Sequence, residues 1–542
     1  MSRLPTKTTD PAASAGGAPV RTGRSAVLVA AGILCSRIAG LIRQRAFAHY
    51  FGLQSDAADA FSAAFRIPNL LQNLFGEGAL SASFIPVYAS LLARGERQLA
   101  DRVAAAVAGL LALIVSAVAL IGVLATPLLI SVIAPGFTGE KRDLTIQIVR
   151  ILFPGAGLLV MSAWCLGVLN SHRRFFLSYT APVLWNAAMI ATLLWFGPAT
   201  DLPRLVVLLA WGSVVGSALQ FGVQVPFVLR AAPGVTGRGA TQAAAAAHVR
   251  TVTRNFVPVF FSRGVVQISA YIDTVLASLL PTGAVTGLTN AQLLYTLPVS
   301  LFGMSVSAAE LPAMSGEIAV GSSGAEAVRR RLDNGLRRIA FFIVPSAMAF
   351  LALGDVIAAA LLQTGRFTQA DVFYVWGILA GSAVGLLAST LGRLYSATYY
   401  AMRDTRTPLN YAIVRVVLTT ILGYLFAVPL PGWLNISPAW GAAGLTASAG
   451  IAGWVEMLLL RRTLNQRIGT TGLPVNYVVK LWSAAAAAAA TAWAVKLAVP
   501  APGPIIGAVL MLTPYGVVFF ALTVAFRIPE AADALTRLKR VL

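Results

Sequence analysis

SRIAGLIRQRAFAHYFG (residues 36–52) and RIPNLLQNLFGEGALSASFIP (residues 66–86) frame the stretch of sequence that decides how this chain folds. The stretch is mainly apolar, yet it contains charged residues, of which Arg37, Arg43, Asp59, Arg66 and Glu77 are expected at depths where a charge is costly. Each such side chain costs roughly 2.5–3.5 kcal/mol at the centre of a bilayer. Several of them in successive apolar runs predict a polar cavity enclosed by helices, and such a cavity within a membrane indicates a ligand-binding site.

The composition is that of a membrane protein. Of the 542 residues, 57% are hydrophobic and 11% are charged, and the mean hydropathy is +0.77. A soluble fold of this size needs a polar exterior that such a composition does not supply. The net charge of +21 is best explained by basic loops on the cytoplasmic side of a membrane, so no nucleic-acid partner is expected.

Runs of about 20 apolar residues recur along the chain, and each is long enough to cross the hydrocarbon core as a helix. They do not alternate in polarity as the strands of a membrane barrel do. The sequence therefore predicts an all-α polytopic membrane protein with fourteen transmembrane helices, at 26–50, 58–92, 103–134, 144–170, 175–197, 203–230, 254–281, 287–318, 335–363, 371–401, 408–428, 438–462, 476–499 and 504–527. The second and eighth runs are longer than a span needs and contain the prolines Pro68, Pro86, Pro298 and Pro312, so broken or bent helices are expected there.

The distribution of Lys and Arg supports this count. With the N-terminus in the cytoplasm, 28 of the 41 basic residues fall in cytoplasmic segments and 5 on the opposite side. This bias follows the positive-inside rule and predicts that both termini are cytoplasmic. Residues 1–25 lack the apolar run of a signal peptide and are predicted to form a disordered cytoplasmic tail.

A weak internal repeat with a constant offset divides the chain. Pro68 and Pro298 lie 230 residues apart, and so do the Phe-Thr pairs at 137–138 and 367–368. The pattern predicts two six-helix lobes related as a parallel repeat, with a site between them. The expected domains are an N-lobe at 26–230, a cytoplasmic linker at 231–253, a C-lobe at 254–462, and two extra C-terminal helices with a tail at 463–542.

Arginine is the residue type that gives the predicted cavity its chemistry. Arg37 lies near the middle of the first span, from which a side chain does not easily reach the membrane surface. For Arg43 and Arg66 the alternative, an extension to the interface, stays open. A guanidinium group is always charged and forms paired hydrogen bonds with phosphate oxygens. These three arginines therefore suit a lipid pyrophosphate, and Ser36 and Asn69 are further candidate substrate-binding residues.

Each buried acidic residue has two interpretations. Asp59 and Glu77, the latter followed by Gly78, either pair with these arginines or form a gating ion pair that breaks when one face opens. Asp273 and Glu310 stand alone in the seventh and eighth spans. Each of these two is either a structural, hydrogen-bonded acid or a coupling site for a proton or Na⁺.

Signals of an enzyme are absent from the sequence. His49, His172 and His248 do not cluster, and no metal-ligand spacing, nucleotide-binding loop or nucleophile elbow occurs. The glycine-rich segments at 381–385 and 441–453 are typical of close packing between membrane helices.

Five segments resemble the MurJ/MviN family of lipid II flippases, within the multidrug/oligosaccharidyl-lipid/polysaccharide exporter superfamily. They are SRIAGLIRQRAFAHYFG (36–52), DAFSAAFRIPNLLQNLFGEGALSASFIPVYA (59–89), QISAYIDTVLAS (267–278), LLQTGRFTQADV (361–372) and YYAMRDTRTPLN (399–410). The resemblance spans essentially residues 26–470. It implies fourteen helices in two six-helix lobes, with the last two helices forming a groove for a lipid tail.

The resemblance also carries the family's pattern onto individual residues. The family's SR–G–R pattern falls on Ser36, Arg37, Gly40 and Arg43. Its acidic residue before the second helix falls on Asp59, and its basic residue before the proline falls on Arg66. Its EG pair falls on Glu77 and Gly78. The chain departs from the pattern at Gln72 and Leu293, where the family often has arginine, and at Gln44, where an acid is common. Cationic charge in the cavity is therefore expected to be confined to the first lobe, with Arg263 in the seventh span as a candidate for compensation.

The resemblance implies a flippase that moves undecaprenyl-pyrophosphate-linked lipid II from the inner to the outer leaflet of the bacterial cytoplasmic membrane by alternating access. Membrane potential, a proton or Na⁺ would drive it without a cofactor, and its partners would include membrane lipids and cell-wall synthesis proteins. Three alternatives stay open: another exporter of the superfamily (a polysaccharide-lipid flippase or a drug/cation antiporter), a membrane enzyme acting on polyprenyl phosphates, and a degenerate transporter that serves as a partner in a cell-wall complex. The basic cavity argues against a cation antiporter, and the lack of an acid pair or histidine in an aqueous loop argues against the enzyme.

Overall fold

A computed structural model describes residues 20–172, 174–236, 242–319, 324–499 and 503–532, and within these ranges a minority of side chains, including those of 77–79 and 261–270, are not described. The N-half of the chain consists of α1 (Val20–Phe51), α2 (Asp56–Ala64), α3 (Arg66–Phe75), α4 (Glu77–Ala93), α5 (Arg97–Leu124), α6 (Thr126–Ile133), α7 (Gly139–Ser171), α8 (Phe175–Phe196) and α9 (Leu202–Ala231). The C-half consists of α10 (Gln242–Ser278), α11 (Ala284–Pro298), α12 (Ser305–Ala319), α13 (Gly324–Leu362), α14 (Gln369–Ala401), α15 (Arg406–Ala427), α16 (Pro429–Trp433) and α17 (Gly441–Ile468). A C-terminal pair follows, α18 (Val475–Ala498) and α19 (Pro504–Ala525).

The chain is an all-helical, multi-pass membrane protein. Within the described ranges, eleven helical segments are long and apolar enough to cross a membrane. The α1 helix, the α2–α4 series and α10 are not among the eleven. The connections between the helices lie at two ends of the bundle. The Asp59 end contains the connections at 52–55, 134–138, 279–283 and 363–368, and the arginine-rich end contains those at 94–96, 172–174, 402–405 and 469–474.

The first long apolar run is broken and the second changes its helix type, and of the four prolines only Pro298 coincides with such a change. The run that contains Pro68 divides into α2, α3 and α4, with breaks at Phe65 and Gly76. In the other run α11 ends at Pro298 and a π-helical turn, Val299–Met304, leads into α12. Proline removes a backbone donor and crowds the preceding turn, which explains a change of helix type after Pro298. Pro86 and Pro312 lie inside continuous helices, so neither marks a break.

The predicted linker at 231–253 is shorter than expected, because a helix replaces much of it. The α10 helix begins at Gln242 and continues without interruption into the seventh apolar run, giving 37 residues. At 1.5 Å per residue this helix is about 55 Å long, well beyond the roughly 30 Å of a hydrocarbon core. Its first turns pack on the N-half, where Ala245 and Val252 are buried. The connection between the halves is therefore a helix rather than a flexible segment along most of its length.

Of the two residue pairs that reveal the repeat in the sequence, the Phe-Thr pairs occupy equivalent positions in the structure. Thr138 is the N-cap of α7, and Thr368, 230 positions later, is the N-cap of α14. The N-cap residue adopts an extended backbone conformation in both cases, and Thr368 also forms a capping box with Asp371. Each of the two helices ends in a short turn at the arginine-rich end, before Phe175 and Arg406 respectively.

The glycine-rich segments lie at a close helix crossing, as the sequence predicts. A methyl group added at Gly385 of α14 would stand 2.4 Å from the Cα atom of Gly450 in α17. Backbones at this separation leave no room for a side chain, which is how small residues allow membrane helices to approach.

The substitution Gly385→Ala is expected to lower the melting temperature of the purified protein, because overpacking typically costs about 1–3 kcal/mol of stability. Gly453→Ala is the matched control, because an added methyl group there has no atom within 4 Å and alanine favours a helix over glycine by about 1 kcal/mol. Equal melting temperatures for the two variants, measured in the same detergent, would contradict the close crossing.

The C-terminal pair packs along α13, which has a kink at Leu353. The indole N–H of Trp376 donates to the carbonyl groups of Phe350 (3.2 Å) and Leu351 (3.1 Å). Trp493 of α18 donates to the carbonyl of Ala352 (2.8 Å). Backbone acceptors freed by a kink must find donors inside a membrane, and two tryptophans supply them.

Candidate functional site

Arg43 lies against two stacked aromatic rings of the N-half. Its guanidinium carbon is 5.0 Å from the ring centre of Phe65 and 5.5 Å from that of Trp185. The two rings are nearly parallel, at 6°, with centres 5.4 Å apart. An arginine held over aromatic faces keeps its charge and its planar orientation at modest cost. Arg43 is half-buried in this position, so its guanidinium lies in a wall of the bundle rather than at the membrane surface.

The same face of α1 is open towards the arginine-rich end. A methyl group added at Gly40 would meet no atom within 4 Å. Arg37 is exposed and Ser36 is half-buried, and neither has a hydrogen-bond or ion-pair partner among the described residues. Arg37 and Arg43 are six residues apart, which is about 9 Å along a helix. Ser36 and Arg43 are seven residues apart and lie on the same side of α1, whereas Arg37 lies about 120° around the helix from Arg43.

Arg66 joins the two halves near the middle of the bundle. Its guanidinium donates to Gln292 Oε1 in α11 (3.1 Å), and its own carbonyl accepts the hydroxyl of Tyr271 in α10 (2.8 Å). The negative charge of Asp273 also acts on the Arg66 guanidinium. The break at Phe65 makes Arg66 the first residue of α3, so its carbonyl lies where the helix has just restarted. The arginine predicted from the sequence is thus surrounded by polar groups of the C-half.

Asp273 is the buried carboxylate at this meeting point. Its Oδ1 atom is inaccessible and has no hydrogen-bond partner among the described residues. The positive charges of Arg66 and Arg415 both act on it, although Arg415 is itself paired with Glu456 at 3.1 Å. Asp273 therefore experiences cationic charge from both halves without a direct ion pair within the described part of the chain.

Glu310 is not the lone carboxylate that the sequence suggests. It lies 3.8 Å from Arg331 and 3.9 Å from Arg338, both on α13. Arg331 also contacts Glu317 at 3.0 Å. These contacts are at the arginine-rich end of the C-half, away from Arg66. The sequence could not show them because α13 begins well before the predicted start of its span.

Three further predictions fall on positions that the structure describes little or not at all. Asn69 is exposed on α3 and makes no contact that would fix its role. The surroundings of Glu77 and Gly78 at the start of α4 and the side chain of Arg263 in α10 lie outside the described part of the structure. The structure therefore gives no partner for the acid of the EG pair.

Asp59 forms the main contact between the halves at the Asp59 end, and its partners are not the predicted arginines. Its Oδ2 accepts the backbone N–H of Gly283 (2.9 Å) and the ammonium of Lys141 (2.8 Å). Its Oδ1 accepts both the backbone N–H (2.9 Å) and the hydroxyl (2.8 Å) of Thr286. We call these four residues the Asp59 network. The Asp59 side chain is 1% exposed and that of Lys141 is 12% exposed.

The physical reason for this arrangement is the start of α11. The first N–H groups of a helix have no partner within the helix, and they carry partial positive charge. Gly283, the N-cap residue of α11, has no side chain that could accept them. Asp59 of α2 supplies the missing acceptor from the other half of the molecule. A charge inside the bundle is thereby matched by one ammonium and two backbone amides.

Further contacts close the same end. Ser62 and Thr286 place their hydroxyl oxygens 3.2 Å apart, and the Gln44 amide donates to Asn290 Oδ1 at 2.7 Å. Arg45 donates to the carbonyl of Ala360 at 2.7 Å. Every one of these contacts joins the N-half to the C-half.

The opposite end lacks such contacts along α1. Among the described residues, no hydrogen bond or ion pair links the part of α1 before Gln44 to the C-half. The halves do meet elsewhere, through Phe75 of α3, whose ring centre lies 5.0 Å from Phe260 and 6.0 Å from Phe256. Polar contacts therefore join the halves at the Asp59 end, whereas towards the arginine-rich end the halves meet through α10 and the described part of α1 before Gln44 makes no polar contact with the C-half.

The DTRTP segment forms a turn rather than part of this site. Asp404 accepts the backbone N–H groups of Arg406 and Thr407 (3.0 Å each), the Thr407 hydroxyl (2.7 Å) and Arg467 (2.7 Å). The Thr407 amide and hydroxyl, with a smaller effect of Arg467, hold the pKa of Asp404 well below its usual range. This carboxylate is therefore charged at all physiological pH values and fixes the turn between α14 and α15.

Sequence reasoning missed Lys141, Trp185, Tyr271 and Gln292. Lys141 was visible only as one of the few basic residues on the sparsely charged side. Trp185 and Gln292 sit in ordinary apolar runs, and nothing in their surroundings marks them. The distance of Lys141 from Asp59 along the chain is 82 residues, so no local pattern connects the two.

Comparison with known proteins agrees with the motifs. The family model described as lipid II flippase MurJ matches residues 47–526. A lipid II flippase MurJ from Burkholderia cenocepacia is 32% identical over 449 residues, which cover 82% of this chain and 84% of that protein. A probable lipid II flippase MurJ from Vibrio cholerae is 30% identical over 451 residues, covering 82% of each chain.

Solved structures share the fold. One described as lipid II flippase MurJ in an inward closed conformation gives a TM-score of 0.74 at 23% identity, covering 92% of this chain and 99% of that one. An inward-facing multidrug resistance MATE transporter of the MOP superfamily gives a TM-score of 0.62 at 18% identity, covering 81% and 98%. Since the family model spans most of the sequence and the closer relatives are collinear with it, the chain belongs to the lipid II flippase MurJ family, whose members are transporters rather than enzymes.

Proposed function

We propose that this protein moves lipid II, a polyprenyl-pyrophosphate-linked peptidoglycan precursor, from the inner to the outer leaflet of a bacterial cytoplasmic membrane by alternating access. The observation that carries the proposal is an asymmetry of the bundle: the Asp59 network joins the halves at one end, while Arg37, on the part of α1 nearer the other end, is exposed, and Gly40 near it has no neighbouring atom within 4 Å of an added methyl group. An anionic headgroup entering from the arginine-rich end would meet these cations first.

The proposed topology has fourteen membrane spans. The eleven apolar helical segments are joined by α1, by α2–α4 as one broken span, and by α10. We propose two six-helix lobes related as a parallel repeat, with α18 and α19 as the extra pair and both termini in the cytoplasm. The equivalent caps at Thr138 and Thr368 and the excess of basic residues at one end support this orientation, in which the Asp59 end faces outwards.

In this proposal Arg37, Arg43 and Arg66 bind the pyrophosphate, with Ser36 and Asn69 as polar contacts. Arginine suits the task because its planar donors match phosphate oxygens in pairs. Arg43 would be pre-oriented by its contacts with Phe65 and Trp185. To bind the substrate, Arg66 would have to break its hydrogen bond to Gln292. Binding of the headgroup would therefore remove one contact between the two halves.

The Asp59 network is the proposed outer gate, and Glu77 and Gly78 are proposed to act with it from the start of α4. Asp273 is the stronger candidate for coupling to a proton, Na⁺ or the membrane potential, because its Oδ1 is inaccessible and without a hydrogen-bond partner and because, unlike Glu310, it forms no ion pair among the described residues. Glu310 remains a weaker proposal, since two arginines already neutralise it. Membrane lipids and cell-wall synthesis proteins are the further partners we propose.

Complementation tests the proposal. Expressed in cells depleted of their own lipid II flippase, the protein is expected to restore growth and lipid II in the outer leaflet, whereas Arg37→Ala is expected to abolish both. Arg204→Ala is the matched control, because Arg204 is an exposed arginine at the Asp59 end with no role in the cavity. Stable insertion without rescue would count against lipid II as the substrate, and full rescue by Arg37→Ala would overturn the role of that residue.

A further inference from the structure

A polar groove opens on the outside of the N-half at the Asp59 end. It has a volume of about 440 Å³ and is lined by Asp143, Ile146, Gln147, Arg150, Ile151 and Trp211. Asp143, Gln147 and Arg150 follow the spacing of one helical face on α7, and Trp211 comes from α9. The groove is separate from the arginines of the cavity and from the Asp59 network, and the proposed transport function does not use it.

The two charged residues of the groove have no protein partner. Within the described ranges, neither Asp143 nor Arg150 makes a hydrogen bond or an ion pair with its side chain, although they line the same groove. An arginine at membrane depth normally pairs with another group or extends to the interface. The vacant donors of Arg150 and the vacant acceptors of Asp143 therefore point to a ligand that carries both a negative and a positive charge.

The depth of the groove matches the headgroup region. The 33 residues of α7 span about 50 Å, so about 10 Å would project beyond each side of a hydrocarbon core of about 30 Å. Asp143 then lies at the headgroup level, and Arg150, about 10 Å further along, lies a few ångströms inside the hydrocarbon. Helical side chains lean towards the N-terminus of their helix, which brings the Arg150 guanidinium back towards Gln147 and Asp143.

We propose that this groove binds the headgroup of an ethanolamine phospholipid in the leaflet at the Asp59 end. The phosphate accepts hydrogen bonds from Arg150 and from the indole N–H of Trp211, and the primary ammonium donates to Asp143. Ile146 and Ile151 contact the glycerol and upper acyl chains. A tryptophan at this level is typical of the membrane interface, where an apolar ring and one donor face different surroundings.

Phospholipid chemistry distinguishes this proposal from simple charge attraction. Phosphatidylglycerol offers a phosphate without a cation for Asp143, and phosphatidylcholine offers a quaternary ammonium that has no hydrogen to donate. A hydrogen bond that involves a charged group typically strengthens binding roughly tenfold or more. The ethanolamine lipid is therefore expected to bind roughly tenfold more tightly than either of the others.

Native mass spectrometry of the full-length protein with each of the three phospholipids tests the assignment. Arg150→Gln is expected to weaken binding of the ethanolamine lipid about tenfold. Asp143→Asn is expected to abolish the preference over phosphatidylglycerol while leaving phosphatidylglycerol binding intact. Arg204→Gln, a charge change at the same end outside the groove, is expected to bind as the parent protein does.

Equal binding of the three lipids by the parent protein would overturn the proposal. So would an ethanolamine preference that survives Asp143→Asn, or a loss of binding in Arg204→Gln as large as that in Arg150→Gln. Asp143 is exposed, so its variant is expected to fold even if the substitution at Arg150 impairs insertion.

Discussion

Asp59→Ala is expected to abolish the rescue of flippase-depleted cells and to lower the melting temperature of the purified protein. The substitution leaves the amides of Gly283 and Thr286 without their carboxylate acceptor, and it leaves the Lys141 ammonium with exposed Asp56 as its remaining ion-pair partner. Removing one partner of a buried charge pair typically costs about 3–5 kcal/mol. The loss falls on the state in which the Asp59 end is closed, so the conformational equilibrium should shift towards opening of that end.

Asp56→Ala is the control for this prediction. Asp56 contacts the same lysine at 3.2 Å, but its side chain is 59% exposed, and exposed ion pairs contribute little. Its variant should therefore keep near-normal rescue and melting temperature. If Asp56→Ala and Asp59→Ala had equal effects, the acceptor at the start of α11 would not be what holds the halves together.

A disulfide across the Asp59 end is expected to stop transport completely and reversibly. The hydroxyl oxygens of Ser62 and Thr286 are 3.2 Å apart and belong to different halves. Cysteines at both positions should therefore form a disulfide under mild oxidation. Alternating access requires this end to separate, so the oxidised protein should not move lipid II, and a reductant should restore movement.

The natural cysteines must first be removed for this experiment. Cys35 is exposed and Cys165 is buried, and the double variant Cys35→Ser with Cys165→Ala provides the background. The single variants Ser62→Cys and Thr286→Cys are the controls, and oxidation should not inhibit either of them. Transport that continues after quantitative disulfide formation would show that the Asp59 end does not open during the cycle.

The architecture was largely predictable, because it depends on local properties of the sequence. Apolar length identifies the spans, and the offset of 230 residues locates equivalent caps such as Thr138 and Thr368. Pro298 correctly marks the end of α11. The helical start of α10 was missed, because the alanine-rich segment before the seventh span is too weakly apolar to stand out from a linker.

The partners of the charged residues were less predictable. The sequence places Asp59 among arginines, whereas the structure pairs it with Lys141 and with backbone amides. Backbone donors have no signature in the sequence, since every residue except proline provides one. The expectation that the cavity cations are confined to the first half stays a prediction: Arg37, Arg43 and Arg66 lie in that half, and the positive charge of Arg415 from the C-half also acts on Asp273. Around Arg66 the C-half contributes an amide and a phenol, through Gln292 and Tyr271.

The contacts of α13 have a consequence for the C-terminal pair. Tyr477 donates to the carbonyl of Arg337 (3.0 Å), and Tyr515 donates to that of Pro345 (2.6 Å). Further along, Trp493 binds the carbonyl of Ala352 (2.8 Å), and Lys496 is paired with buried Asp355. Attachments distributed from Arg337 to Asp355 of one helix resist sliding as well as separation. The pair α18–α19 is therefore expected to move with the C-half as one body, and a lipid tail seated on the pair would travel with that half.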